Sequence, residues 1–210
     1  MDPRPFPWVV KLPLFPLHAV LFPGATLSLH VFEPRYREMI GRCLMHDEPF
    51  GVVLIQEGEE VGGPAIPERV GTEAAIIASR KHRDGRYDIV VEGRRRFAVE
   101  DLDRTRAYLR GEVRPFGEPL GEDAETMAQA VAKLFEGVLE SLELAGQAIV
   151  DETWRELDPV ALSYRVGWVL PASDMVKQEL LEAPDAATRL RREAALLMSI
   201  HRIGAEIGAG

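Results

Sequence analysis

Residues 12–40, LPLFPLHAVLFPGATLSLHVFEPRYREMI, constrain the fold more than any other stretch of the chain. Two apolar, strand-like runs meet at Phe22-Pro23-Gly24, and a Pro-Gly pair marks a reversal. The second run alternates: Leu27, Leu29 and Val31 face one way, Ser28 and His30 the other, which is the period of a half-buried strand. It runs straight into Glu33-Pro34-Arg35-Tyr36. Glu33 is placed to accept at a helix start, and Pro34 fits the first turn, where a missing N–H costs nothing. Tyr36, Met39, Ile40, Cys43 and Leu44 then recur at helical spacing and predict one buried face. Glu38 and Arg42, one helical turn apart on the outer side, are spaced to pair weakly.

The first part, 1–118, reads as β-rich. Val9 to Leu14 and Ala19 to Leu21 are short apolar runs broken by prolines, which suits edges and bends. Phe50 to Ile55 predicts a strand buried on both faces. Glu57 to Arg69, with Gly58, Gly62, Gly63, Pro64 and Pro67, has no period and predicts a long loop. Thr72 to Ser79 and Tyr87 to Glu92 predict strands joined at Asp84-Gly85, a hairpin signal. Gly93-Arg94 predicts a second reversal before Phe97 and Val99, and Tyr108 to Val113 one more strand. Short strands at close spacing with a lone early helix suggest a small barrel or folded-over sheet.

After Pro115-Phe116-Gly117 the pattern turns helical. Met127, Val131, Leu134, Phe135, Val138 and Leu142 keep a helical period across 124–144. Asp158-Pro159, Ser173 and Asp185 each predict a helix start, with Pro171 ending the first of these helices. The last helix has Leu190, Ala194, Leu197 and His201, or Ile200, Ile203 and Ile207, on its apolar sides. The expected architecture is α+β, with a β-rich subdomain over 1–118 and a helical subdomain over 119–210 packed on it.

The motifs also carry a family resemblance. The 12–40 run, Val70-Gly71-Thr72, Asp84-Gly85-Arg86-Tyr87 and Gly93-Arg94-Arg95-Arg96-Phe97 resemble the signatures of the Lon-protease substrate-binding domain family. Leu162-Ser163-Tyr164, Leu170-Pro171 and Lys177-Gln178-Glu179-Leu180-Leu181-Glu182 resemble its helical C-terminal half. The resemblance runs in the family's order from about Leu12 to Leu197. It implies a PUA-like β pseudo-barrel with an early helix, followed by a helical subdomain. In whole Lon proteases this region precedes an ATPase and a Ser-Lys peptidase and helps engage unfolded substrates. Stand-alone bacterial versions exist, and this chain is expected to be one.

No catalytic constellation accompanies the resemblance. A P-loop needs a Gly-Lys dipeptide, and the sequence has none. Nothing resembles the family's Pro-Lys-Asp-Gly-Pro-Ser-Ala-Gly nucleophile segment. Ser173 and Lys177 stand one helical turn apart, but a helix cap explains Ser173 better than a Ser-Lys dyad does. Cys43 falls on the apolar side of its helix, where a thiol behaves as a small hydrophobe. The five histidines are scattered without ligand spacing, so no metal and no cofactor are expected. His46-Asp47-Glu48 reads as a solvated helix end. His18 and His30 are the one pair that could meet across a hairpin.

The expected function is therefore non-catalytic recognition of unfolded or exposed hydrophobic polypeptide, alone or for a separate protease or chaperone. The peptide-binding candidates are Glu33, Arg35, Tyr36, Phe50, Tyr87 and Arg96, near the seam between the two parts and the 57–69 loop. For 33–36, a structural role in capping and packing competes with ligand contact. The alternative is an RNA-binding PUA-like module using the Arg-rich 80–114 region. Against it, the net charge is −9, from 34 acidic and 25 basic residues. Acids also interleave with those arginines, and stacking aromatics are scarce there. A lone cysteine, no leader pattern in the proline-rich N-terminus and no long apolar run point to a cytoplasmic protein.

Overall fold

The computed structural model describes residues 9–63, 65–144 and 152–208. The prolines at 3, 5, 7 and 64 and the side chains of Leu142, Ile203 and Ile207 lie outside the described residues. The chain divides into two compact units, 1–116 and 117–210.

The first unit holds strands β1 (Val10–Leu17), β2 (Thr26–Val31), β3 (Phe50–Gly58), β4 (Ala65–Lys81), β5 (Tyr87–Asp103) and β6 (Arg110–Pro115), with helix α1 (Pro34–His46) between β2 and β3. The sheet order is β2-β5-β4-β3-β1-β6, and β5 also pairs with β6. That extra pairing closes five strands into a barrel. The length of β5 makes closure possible. Its first half, 87–92, lies between β2 and β4, while its second half, 97–103, pairs with β6. The barrel therefore ends one side of its wall in β2, an added strand rather than a stave.

The prolines of β1 fit its divided pairing. Val10–Pro13 pair antiparallel with β6, and Leu14–Leu17 pair parallel with β3. Apart from Leu14, whose N–H donates to the Leu109 carbonyl at 2.8 Å, each half thus pairs on one side, as at an edge, where a missing N–H is tolerated. A parallel neighbour needs a crossover rather than a hairpin. Residues 18–49, with β2 and α1, supply it.

Inside the barrel, Leu12, Leu14, Val53, Phe97, Val99 and Val113 form one core. Its bore is set by Phe97 and Leu14 together with glycines. A Cβ on Gly51 would lie 2.6 Å from the Phe97 ring, and one on Gly71 would lie 2.7 Å from it. One on Gly111 would lie 2.9 Å from Leu14. Large side chains need small neighbours across such a narrow interior.

The structure corrects several local expectations. Gly93 makes no reversal, because β5 runs through it. The 22–25 turn rests against it, with Gly24 donating to the Gly93 carbonyl at 2.8 Å and Gly93 donating to Ala25 at 2.9 Å. A Cβ there would sit 2.3 Å from the Phe22 carbonyl oxygen, so close approach and not turning demands glycine. The 57–69 loop is shorter than expected: β3 extends to Gly58 and β4 begins at Ala65. On α1 the buried face is Tyr36, Met39, Ile40 and Cys43, while Leu44 is 37% exposed. Arg42 pairs with Glu48 at 3.5 Å rather than with Glu38. A left-handed Asp47 (φ 52°) turns the chain so that Glu48 donates to the Cys43 carbonyl and ends the helix.

The second unit holds α2 (Ala124–Leu144), a 3-10 turn (Glu152–Glu156), α3 (Pro159–Val169), α4 (Asp174–Leu181) and α5 (Ala186–Gly208). Asp158, Ser173 and Asp185 cap as their sequence positions predict, accepting from Ala161, Val176 and Thr188 at 2.9, 3.4 and 2.7 Å. Ala128, Val131, Phe135 and Val138 carry the buried stripe of α2. On α5, Leu190 and Leu197 are buried and His201 is exposed. Two charged residues sit among the apolar ones, Arg189 and Glu193. Arg189 donates to the Leu180 carbonyl, Ser163 Oγ and Tyr164 Oη at 3.0, 2.6 and 3.2 Å. Among the described residues, neither carboxyl oxygen of Glu193 has a hydrogen-bond partner. Burial pushes its pKa well up, against the opposing pull of Arg189.

Candidate functional site

The Glu33-Pro34-Arg35-Tyr36 segment stands where β2 passes into α1. Pro34 takes the first helical position, as its sequence context predicts. Glu33, however, makes no side-chain cap. Its carboxylate is used by Arg35, whose Nε donates to Oε2 at 3.1 Å, and by the Gly62 N–H, which donates to Oε2 at 3.2 Å. The other arm of Arg35 reaches the same loop, donating to the Gly63 carbonyl at 3.0 Å and the Glu60 carbonyl at 3.3 Å. Glu60 in turn accepts from the His18 N–H at 2.9 Å. The motif is thus a clamp that holds the 59–63 segment against the start of α1. A planar guanidinium suits this task, since its fixed fork reaches two carbonyls and a carboxylate at once.

Beneath the clamp is an aromatic stack. The Arg35 guanidinium lies 4.6 Å from the Tyr36 ring centroid, and Tyr36 stacks on Phe15 at 4.2 Å. Phe15 meets Phe50 at 6.1 Å. Burial pushes the Tyr36 phenol up, and the Arg35 charge partly offsets that. Four of the six nominated residues, Glu33, Arg35, Tyr36 and Phe50, therefore belong to one connected cluster. Phe50, at 0% exposure, is its floor and has no side-chain surface of its own. Tyr87 meets α1 elsewhere, with its hydroxyl against Gly41. With Pro34, Arg37 and Glu38 it lines an open groove of about 360 Å³, where Arg37 Nε donates to the Gly85 carbonyl at 2.8 Å. Arg96 is 1% exposed and packs its guanidinium 4.4 Å from the Phe116 ring centroid.

Around the clamp are features that the sequence reading missed. Phe32 is 47% exposed and Val61 53% exposed, and each is one residue from the Glu33–Gly62 hydrogen bond. Next to them β2, among the described residues, has a strand partner on one side only. Its alternation was legible, but the free edge follows from the barrel closing without it. A free edge presents main-chain donors and acceptors to any extended chain.

The other candidate chemistries resolve as follows. Ser173 Oγ is occupied as a cap, and Lys177 Nζ donates to the Trp168 carbonyl at 3.0 Å, so no Ser-Lys dyad forms. Burial raises the Cys43 thiol to about 11, which leaves it unreactive at neutral pH. His30 does not meet His18; it meets Asp88 and His82. Five arginines of the Arg-rich region are in ion pairs: Arg86 with Asp84, Arg94 with Glu92, Arg95 with Glu73, Arg110 with Asp103 and Arg114 with Glu100.

Arg35→Ala should free the 59–63 segment. Hydrogen bonds to a charged donor are worth about 1.5–3 kcal/mol each, so the Gly62 amide should exchange roughly 10–100-fold faster. Hydrogen exchange read by NMR checks this. An unchanged Gly62 rate would show that the clamp does not hold the loop.

Comparison with known proteins adds the following. The family model described as the ATP-dependent protease La (LON) substrate-binding domain matches residues 11–199. The Lon protease of Methylocella silvestris is 28% identical over 196 residues, covering 90% of this chain and 24% of that protein. Lon protease 2 of Syntrophobacter fumaroxidans is 29% identical over 192 residues, covering 86% and 23%. The chain thus spans about a quarter of the length of the curated relatives it matches. Among solved structures, a Lon N-terminal domain protein from Xanthomonas campestris superposes with a TM-score of 0.64 at 31% identity, over 89% of this chain and 98% of that one. The N-terminal domain of the Mycobacterium avium complex Lon protease gives 0.72 at 21% identity, over 90% and 98%, which is a likeness of fold.

Proposed function

Because the chain belongs to the family of the Lon substrate-binding domain, we propose that it is a non-catalytic module that recognises unfolded or exposed hydrophobic polypeptide. One observation carries the reading: the family match extends over residues 11–199, through the barrel and the helices alike. The geometry supports a location for it. An extended segment adds to the free edge of β2 by main-chain hydrogen bonds, and Phe32 and Val61 receive its apolar side chains. Main-chain pairing is indifferent to sequence, which suits a receptor for many unfolded clients. The Arg35–Glu33 clamp presents the rim that carries Val61. In this reading Glu33 and Arg35 shape the surface, Tyr36 and Phe50 support it from below, and Tyr87 borders the separate groove beside α1. The partner that uses the captured chain is a separate protease or chaperone. A reducing cytosol suits a lone, buried Cys43.

Calorimetric titration with a reduced, carboxymethylated unfolded protein and with short hydrophobic peptides tests the proposal. Saturable binding that survives raised salt is expected, since the contacts are main-chain and apolar. Absence of saturable heat up to millimolar peptide would contradict it. Binding of an RNA pool that weakens steeply with salt would favour the Arg-rich surface instead.

A further inference from the structure

His30, His82 and Asp88 lie off the Arg35–Glu33 clamp, although His30 is on β2, the strand whose edge the proposed function uses, and stacks on Phe32 at 6.1 Å. His82 and Asp88 flank one hairpin, and the sheet brings the sequence-distant His30 to them. His30 on β2 is the direct cross-strand partner of Asp88 on β5. His82 follows the end of β4, where the hairpin to β5 fixes it: its N–H donates to the Arg86 carbonyl at 2.8 Å, and its carbonyl accepts from Gly85 at 3.0 Å. The Asp88 carboxylate lies between the two rings, with Oδ1 2.6 Å from His30 Nδ1 and Oδ2 2.6 Å from His82 Nε2. One donor atom from each of the three residues lies within 4.8 Å of the others.

We propose that His30, His82 and Asp88 form a binding site for a divalent transition-metal ion of the zinc class. Two imidazole nitrogens and one carboxylate oxygen are the donor set that borderline ions select, and hard ions such as magnesium prefer all-oxygen sites. Metal–ligand bonds of about 2.0–2.2 Å place tetrahedral donors about 3.4 Å apart, a spacing that small side-chain rotations reach from the present one. The side of the cluster bearing His30 and Asp88 opens on a groove of about 460 Å³, which leaves room for water to complete the coordination sphere. The backbone supplies the preorganisation, because the two strands and the hairpin are already paired.

In the present arrangement each imidazole nitrogen facing Asp88 shares a proton with the carboxylate. The metal displaces it, and in a neutral ring the proton moves to the other nitrogen. For His30 that other nitrogen, Nε2, faces Arg86 Nη1 at 3.3 Å. Two N–H groups would then oppose each other, so Arg86 must turn fully to Asp84, with which it already pairs at 2.7 Å. Arg86 is thus a brake on the site, by both charge and donor conflict.

The test is zinc titration of the tag-free, chelator-stripped full chain by calorimetry, with thermal melts alongside. One zinc per chain and a rise in Tm are expected, since the three donors assemble only in the folded chain. His30→Ala and His82→Ala should each weaken binding at least about tenfold, while His18→Ala should leave it unchanged and Arg86→Ala should tighten it. Magnesium should not compete. Circular dichroism of the two histidine variants reports whether they fold, and the wild-type imidazole NMR signals of His30 and His82 give a reading that needs no variant. No zinc binding, binding by both histidine variants undiminished from the native chain, or a wild-type titration that shifts other histidines would overturn the proposal.

Discussion

Phe97→Ala should destabilise the barrel by about 3–5 kcal/mol, the upper part of the range for core truncations. The cost of such a change depends on whether neighbours can close the hole. Here the ring faces Gly51 and Gly71, which have no side chains to lean in. The same geometry predicts the reverse effect at the glycines. A Cβ on Gly51 meets the Phe97 ring at 2.6 Å and Leu14 Cδ2 at 2.8 Å, side-chain atoms only. Gly51→Ala should therefore destabilise the native protein by about 1–3 kcal/mol through overpacking, yet cost less in a Phe97→Leu background. Urea denaturation of the four chains of this cycle, followed by amide exchange in β3 and β4, measures the coupling. Additive effects would mean that Phe97 and Gly51 do not share the space assigned to them.

Arg189→Ala is the second large effect expected, in the helical unit. The substitution leaves the Leu180 carbonyl, Ser163 Oγ and Tyr164 Oη without their buried donor, and removes a guanidinium 4.0 Å from the Tyr164 ring centroid. It also takes a positive charge from beside Glu118, whose Oε2 lies 3.7 Å away. Breaking a buried charged network in this way costs about 3–5 kcal/mol. Arg189→Lys should recover only part, because a single ammonium cannot reproduce a fork aimed at several acceptors. Loss of helical circular dichroism at a lower urea midpoint checks both variants. A midpoint unchanged from the native protein would refute the network's role.

Much of this architecture was legible in the residues, and the physical reasons differ from element to element. Helix starts at Asp158, Ser173 and Asp185 were readable because capping is local: one side-chain oxygen meets an N–H three residues on. The alternation of β2 was readable for the same reason. Glu33 misled because a competing long-range demand exists: the Gly62 N–H and Arg35 use the carboxylate that a cap would need. Gly93 misled because glycine marks both turns and close approaches, and only the fold reveals Phe22 lying against it. The site shows the same division. The sequence singled out 33–36, but nothing local showed that Arg35 reaches Glu60 and Gly63. Nor could spacing along the chain reveal His30 beside His82 and Asp88. Setting β2 antiparallel against β5, in the register seen here, is what places His30 opposite Asp88. Four of the nominated contacts do gather in one cluster, although Phe50 serves as its floor.

The central claim is that the free edge of β2 and the adjoining clamped rim receive extended polypeptide. Amide hydrogen exchange of the full chain, with and without a saturating reduced, unfolded protein, tests it most directly. Slowed exchange concentrated in 26–33 and 59–63 is expected, with the rest of the barrel unchanged. Protection confined to other elements, such as the exposed face of α2, would contradict it, as would no protection anywhere.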